Sequence, residues 1–320
     1  MRARKKVTGT FCAKHPEGLA GKRCLSPFAR LRRLLEMIRF SHTLFALPFA
    51  LLSAAMAWGL NARSDPPVPF RWQDAAGILL CMVAARSAAM SFNRLADRRL
   101  DALNPRTRSR HLPTGTLSVA GVALFTAVCS VGFVLGTLLF LPNRWPLLAS
   151  VPVLLLLFGY SYSKRFTLLS HFWLGMALML APLAAWVALR AELAPAPLLL
   201  GAAVLLWVAG FDIIYACQDV AFDRQMRLRS VPARLGVAGA LRTAAACHFG
   251  MVLLLLLVPA VYPAFGFVYY AGIGAIAALL IYEHLLVRPD DLTRLNRAFF
   301  HVNAVVSLGL LVIGVVDVLI

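Results

Sequence analysis

Residues 93–101 read Asn-Arg-Leu-Ala-Asp-Arg-Arg-Leu-Asp and close a long apolar run. Asn93, Asp97 and Asp101 stand four apart, so on a helix their side chains stack along one face. A second stretch answers the first: Asp212, Asp219 and Asp223, spaced seven and then four, also hold one helical face. The chain has 14 acidic residues, and five of them lie in these two stretches. Carboxylates that are scarce overall but gathered at the ends of membrane helices usually serve an ion or a substrate. Ordinary ion pairing competes with that reading, because Arg94 and Arg98 alternate with the acids. Such exposed pairs are worth only about 0.3–0.5 kcal/mol, and two of these acidic stretches on one membrane face weigh against it.

Outward from these stretches the chain is built of hydrocarbon. Of 320 residues, 60% are hydrophobic and 14% charged, and the apolar runs reach the roughly 20 residues that a bilayer helix needs. The spacing predicts nine membrane helices, near 42–60, 74–93, 117–140, 146–162, 168–189, 196–216, 237–258, 264–286 and 299–319. The expected fold is therefore an all-α membrane helix bundle over residues 36–320, preceded by a basic, disordered arm over 1–35. An organelle transit peptide is the alternative for that arm; a cytoplasmic segment resting on anionic lipid is preferred.

The net charge of +18 does not point to nucleic acid, because the basic residues lie in the arm and between alternate spans. Arg94, Arg98, Arg99, Arg106, Arg108 and Arg110 follow the second span, Lys164 and Arg165 the fourth, and Arg224, Arg227, Arg229 and Arg234 the sixth. The opposite loops carry only Arg63, Arg71, Arg144 and Arg190. This bias places the N-terminus and both acidic stretches in the cytoplasm of a bacterial inner membrane, or less readily on the equivalent face of a mitochondrial one. Four spans separate the two stretches, so they share one side whichever way the first span inserts. The six cysteines form no Cys-x-x-Cys pair and the histidines show no ligand spacing, which argues against a thiolate or imidazole metal site.

Paired carboxylates with an amide oxygen are hard oxygen ligands of the kind Mg²⁺ takes, usually together with substrate phosphates. Asn93, Asp97, Asp101, Asp219 and Asp223 are the candidate ligands. The neighbouring arginines, Arg106 and Arg110 among them, suit phosphate oxygens. No Walker lysine loop is present, so a diphosphate on a lipid-soluble group fits better than a nucleotide. Arg86 lies seven residues before Asn93, on the same face. A charge inside a span costs ~2.5–3.5 kcal/mol, so Arg86 should turn to a cavity and meet a diphosphate or a substrate carboxylate, or else pair internally with Asp97. Tyr215, one turn before Asp219, either orients a carboxylate or belongs to the core. Asp212 completes the candidate substrate-binding set. An ion-coupled transporter is the rival function class, but acids at span ends beside arginines fit it poorly.

Asn93-x-x-x-Asp97-x-x-x-Asp101 and Asp219-x-x-x-Asp223 resemble the two Asp-rich motifs of the UbiA superfamily of intramembrane prenyltransferases. The likeness extends to Ile38–Pro48, Asn104-Pro-Arg-Thr107, Lys164-Arg165-Phe-Thr167 and Ser230-Val-Pro-Ala233. These extra stretches look most like the 4-hydroxybenzoate polyprenyltransferase branch, including the futalosine-route members. Arg94 stands where many members carry Asp, and Gln218 precedes Asp219; neither change removes an acid from the core spacing. The resemblance implies a nine-helix bundle in which Mg²⁺ on Asp97, Asp101, Asp219 and Asp223 meets a polyprenyl diphosphate, whose group passes to an aromatic acid ortho to its hydroxyl. It further implies Lys164 at the diphosphate and Arg165 at the benzoate carboxylate. Dihydroxynaphthoate, homogentisate or a lipid are the alternative acceptors, and ubiquinone or menaquinone synthesis the expected setting.

Overall fold

The computed structural model describes residues 27–38, 46–287 and 302–320, and these are helical apart from their connections. Helix α1 is Pro27–Met37 and α2 is Leu47–Ala62; α3 runs Trp72–Leu103 and α4 Val119–Gly136, the latter prolonged by a 3₁₀ turn to Phe140. Then follow α5 (Trp145–Phe166), α6 (Ser170–Arg190), α7 (Pro195–Ala216), α8 (Val220–Gln225), α9 (Val231–Val261), α10 (Phe267–Leu286) and α11 (Asn303–Leu319). The described residues contain no strand. Every predicted span has its helix, and seven of the nine are long and apolar enough to cross a membrane. The other two, α2 and α11, have 16 and 17 residues. Of the basic arm, residues 1–26 lie outside the described residues, and the part from Pro27 is helix α1.

Local chemistry sets the boundaries that matter. Helix α3 has 32 residues, about 48 Å at 1.5 Å per residue. That outruns a hydrocarbon core of about 30 Å, and Asn93, Asp97 and Asp101 fall towards its C-terminal end. Pro105 ends it by forcing Asn104 into the extended region, φ −84 and ψ 120. Helix α7 starts on Pro195, which suits a first-turn position because its missing N–H has no partner there anyway. It tightens into a 3₁₀ turn at Cys217–Asp219 before α8, so the single continuous face expected through Asp212, Asp219 and Asp223 is broken between its first and second members. Ser230 caps α9 by accepting from the Ala233 N–H at 3.3 Å. Gly236, at φ 71, then interrupts α9 with a left-handed residue that a side chain would strain.

The bundle packs as a membrane protein does, with small residues where helices touch. A Cβ on Gly175 of α6 would collide with the Leu205 carbonyl oxygen of α7, and one on Gly314 of α11 with Leu52 of α2. Phe49, Trp186, Trp207, Phe211, Met251, Tyr262 and Tyr269 fill the core between α2, α6, α7 and α9–α11. Phe49 meets Trp207 at 5.1 Å between ring centroids, and Phe265 stacks on Tyr269 at 4.2 Å. Outside, α4 exposes Leu124, Val128, Val131 and Leu135 along one stripe, an apolar face that water would penalise and lipid accepts.

Candidate active site

The loop that follows the first acidic stretch meets the second. Beyond α3, the loop 104–118 folds back over the end of α7, and Arg106 donates to Asp219 through Nε at 2.9 Å and through Nη2. The same guanidinium donates to the Tyr215 hydroxyl at 3.1 Å and lies 5.4 Å from its ring centre. Asn104 adds a third donor to Asp219 at 3.2 Å, and its own Oδ1 accepts from the Arg106 N–H at 2.9 Å. Burial works against the Arg106 charge, but the Asp219 carboxylate outweighs it and holds the guanidinium above the ordinary arginine range.

On α3 the acids keep the stacked order expected of them. Asn93 donates to Asp97 at 3.0 Å, and Arg165 of α5 reaches Asp97 at 3.3 Å and the Ala96 carbonyl at 2.8 Å while lying over Tyr162. Arg110 pairs with Asp101 at 2.6 Å. The second Asp101 oxygen is buried with no partner among the described residues. Asp223 accepts from Ser230 at 2.7 Å. Lys164 stands beside Arg165 in the last turn of α5. Asp212, two turns below Asp219 on α7, is bonded to His171 of α6 at 2.6 Å. Glu36, Met37, Arg94, Arg106, Arg110, His111 and Tyr215 line a polar cavity of about 590 Å³ at this end.

Below it opens a second cavity of about 370 Å³, almost wholly apolar, between α2, α3, α5 and α6. Ala46, Ala50, Ala85, Ala89, Ala177 and Ala181 keep it open because none has a side chain long enough to fill it. Asn93 and Tyr160 stand at its upper end, and Arg86 is set in its wall. The internal pair with Asp97 does not form: Arg86 Nε has no hydrogen-bond partner among the described residues, and Asp97 is held by Asn93 and Arg165 instead.

The oxygen donors at the junction suit a hard cation, the orphaned Asp101 oxygen most directly. Among the described residues no three of His, Cys, Asp or Glu converge at metal-holding distance; guanidinium groups take up the carboxylates in this arrangement.

Residues 46–305 match the UbiA prenyltransferase family. The chain belongs to it. A 4-hydroxybenzoate octaprenyltransferase of Nitrosomonas eutropha is 31% identical over 293 residues, 89% of this chain and 96% of that one. The apo structure of a UbiA homolog from Aeropyrum pernix K1 superposes with a TM-score of 0.75 at 31% identity, covering 88% and 98% of the two chains. A UbiA homolog from Archaeoglobus fulgidus bound to GPP and Mg²⁺ shares the fold, at TM-score 0.65 and 20% identity over 90% and 100%.

Within this UbiA frame, sequence reading missed Asn104, Ser230, His171 and Tyr160. Asn104 and Ser230 did leave a signal, since both open stretches that carry the family likeness, but no spacing rule ties either to a carboxylate. His171 had none: a lone histidine in an apolar run is usually a satisfied core residue.

Proposed function

We infer that this UbiA prenyltransferase moves a polyprenyl group from a polyprenyl diphosphate to an aromatic acid, with 4-hydroxybenzoate prenylated ortho to its hydroxyl, for quinone synthesis. One observation carries the reading: Asn93, which donates to Asp97 on the acidic face of α3, also lines the apolar cavity that runs down α3 and α6. A charged helix end next to a hydrocarbon-like cavity matches a ligand with a diphosphate head and an isoprenoid tail. The names of relatives such as the Nitrosomonas enzyme supply the acceptor class. The site is assigned to the cytoplasmic face of a bacterial inner membrane by the arginine bias of its loops.

Asn93, Asp97, Asp101, Asp219 and Asp223 would hold Mg²⁺, which when bound supplies positive charge to the departing diphosphate. Arg106, Arg110 and Lys164 bind and orient phosphate oxygens from the rim. The alanine-lined cavity takes the first isoprene units and keeps water from the reacting carbon, where water would compete with the ring. Arg165 is engaged with Asp97 and Ala96, whereas Arg86 faces the cavity. The acceptor carboxylate is therefore assigned to Arg86, with Arg165 as the alternative.

The test is turnover of purified enzyme with a prenyl diphosphate and a panel of aromatic acids, products identified by mass spectrometry. Chelation of divalent metal should stop diphosphate release and Mg²⁺ restore it. Arg86→Ala should raise the acceptor KM about ten- to a hundredfold, the loss of one charge-assisted contact, with the donor KM unchanged. That pattern from Arg165→Ala in its place would give the carboxylate to Arg165. No product with any aromatic acid would overturn the acceptor class.

A further inference from the structure

His171 and Asp212 form a buried couple that the assignments above leave without a task. The imidazole is 0% exposed, and its Nδ1 lies 2.6 Å from Asp212 Oδ2. Its other nitrogen, Nε2, is buried with no hydrogen-bond partner among the described residues. Burying an ionisable pair is costly, so a purely structural tie between α6 and α7 is a poor explanation. Those helices are already locked where Gly175 lies against the Leu205 carbonyl. The couple also lies on the side of the chemistry: Asp212 of α7 is two turns before Asp219, and His171 is one and two turns before Leu174 and Leu178 of α6, which line the apolar cavity. Asp212 keeps 17% of its side chain exposed, so the carboxylate, and not the imidazole, borders open space.

We propose that Asp212, positioned by His171, accepts the proton that the aromatic ring loses on prenylation. The proposal rests on the aromatic acceptor inferred above. The bond from the donor's first carbon to its bridging oxygen breaks, and its electron pair leaves with the diphosphate. That carbon bonds the ring carbon beside the hydroxyl, and the electrons of the ring C–H bond restore aromaticity. The freed proton passes to Asp212. With one shared proton, the couple carries a net charge of minus one; with the second it carries none. Proton uptake thus removes a buried charge in place of creating one. His171 acts only through Asp212, as a positioning residue: its ring nitrogen fixes one carboxylate oxygen and leaves the other to the substrate.

The experiment compares wild type, Asp212→Asn, His171→Gln and His171→Phe, each with ring-deuterated and ordinary 4-hydroxybenzoate. Diphosphate release and prenylated product are counted separately. In Asp212→Asn, product should fall on the order of 10²-fold, as loss of a general base does, with both KM values little changed. Diphosphate release should fall less than product, because a cation no longer drained into product persists long enough for the little water that enters to capture it. A deuterium isotope effect absent from wild type should appear, since ring C–H cleavage becomes limiting. His171→Gln keeps a donor to Asp212 and should recover most of what His171→Phe loses. Equal losses of product and diphosphate without an isotope effect would overturn the assignment, as would wild-type turnover in Asp212→Asn. Should Asp212→Asn fail to fold, the isotope effect in His171→Phe decides in the same way. Wild-type turnover is read first: its absence with every aromatic acid sinks the acceptor class and this proposal together, whereas normal wild-type turnover isolates the proposal.

Discussion

Arg106 is the residue through which the two halves of the site are joined. Its Nε and Nη2 grip Asp219 while Nη1 reaches Tyr215, a fork that a lysine's single ammonium cannot reproduce. Arg106→Ala should therefore destabilise the protein by about 1.5–3 kcal/mol, the range for hydrogen bonds to charged groups, read by thermal unfolding in detergent. Arg106→Lys should recover less than half of that loss. Asp97 is a contrasting case, because Asn93 and Arg165 hold it from outside the core. Asp97→Asn keeps the shape and removes the charge, so it should cost more than tenfold in diphosphate release, over ~1.4 kcal/mol at the transition state, with little change in unfolding temperature. Activity above a tenth of wild type would remove Asp97 from the metal set.

At the scale of the helix, close approach and not hydrophobicity decides where α6 meets α7. A methyl on Gly175 has nowhere to go, since the atom it would strike is backbone. Gly175→Ala should accordingly cost about 1–3 kcal/mol, as overpacking does. Gly309 on α11 has nothing within 4 Å of such a methyl, and Gly309→Ala should be neutral or stabilise by up to ~1 kcal/mol through helix propensity. Equal unfolding temperatures for the two variants would refute the packing argument. Most helices could be read from apolar run length, but two breaks could not. The 3₁₀ turn at Cys217–Asp219 falls inside a stretch whose acids read as one helical face, and α9 begins at Val231, six residues before the predicted start at 237, with the left-handed Gly236 between.

For the whole molecule the decisive quantity is the side of the membrane on which each loop lies. Arg106 and Arg227 belong to loops at the Asp-bearing end, Arg63 and Arg144 to the other. Cysteines placed at the first two positions should react with an impermeant thiol reagent only from the cytoplasmic side, and those at the last two only from outside. Labelling of positions 106 and 227 from opposite faces would end the single-chamber reading. The contact between Arg106 and Asp219, residues 113 apart in sequence, already requires them to share an end, as counting the four intervening spans predicts.

The sequence by itself determined the all-helical bundle, the stacked order of Asn93, Asp97 and Asp101, and the shared side of the two acidic stretches. These follow from properties local to the chain: a period of 3.6 residues, the length of an apolar run, and the parity of crossings. Only the tertiary structure decided which cation meets which carboxylate. Arg86, eleven residues before Asp97 on the same helix and so about 16 Å below it, stays in the cavity wall, and Arg165 arrives from another helix to hold Asp97. The His171–Asp212 bond joins residues 41 apart, and no periodicity relates them. It exists because a glycine at 175 lets α6 lie close enough to α7 for a short side chain on each to touch.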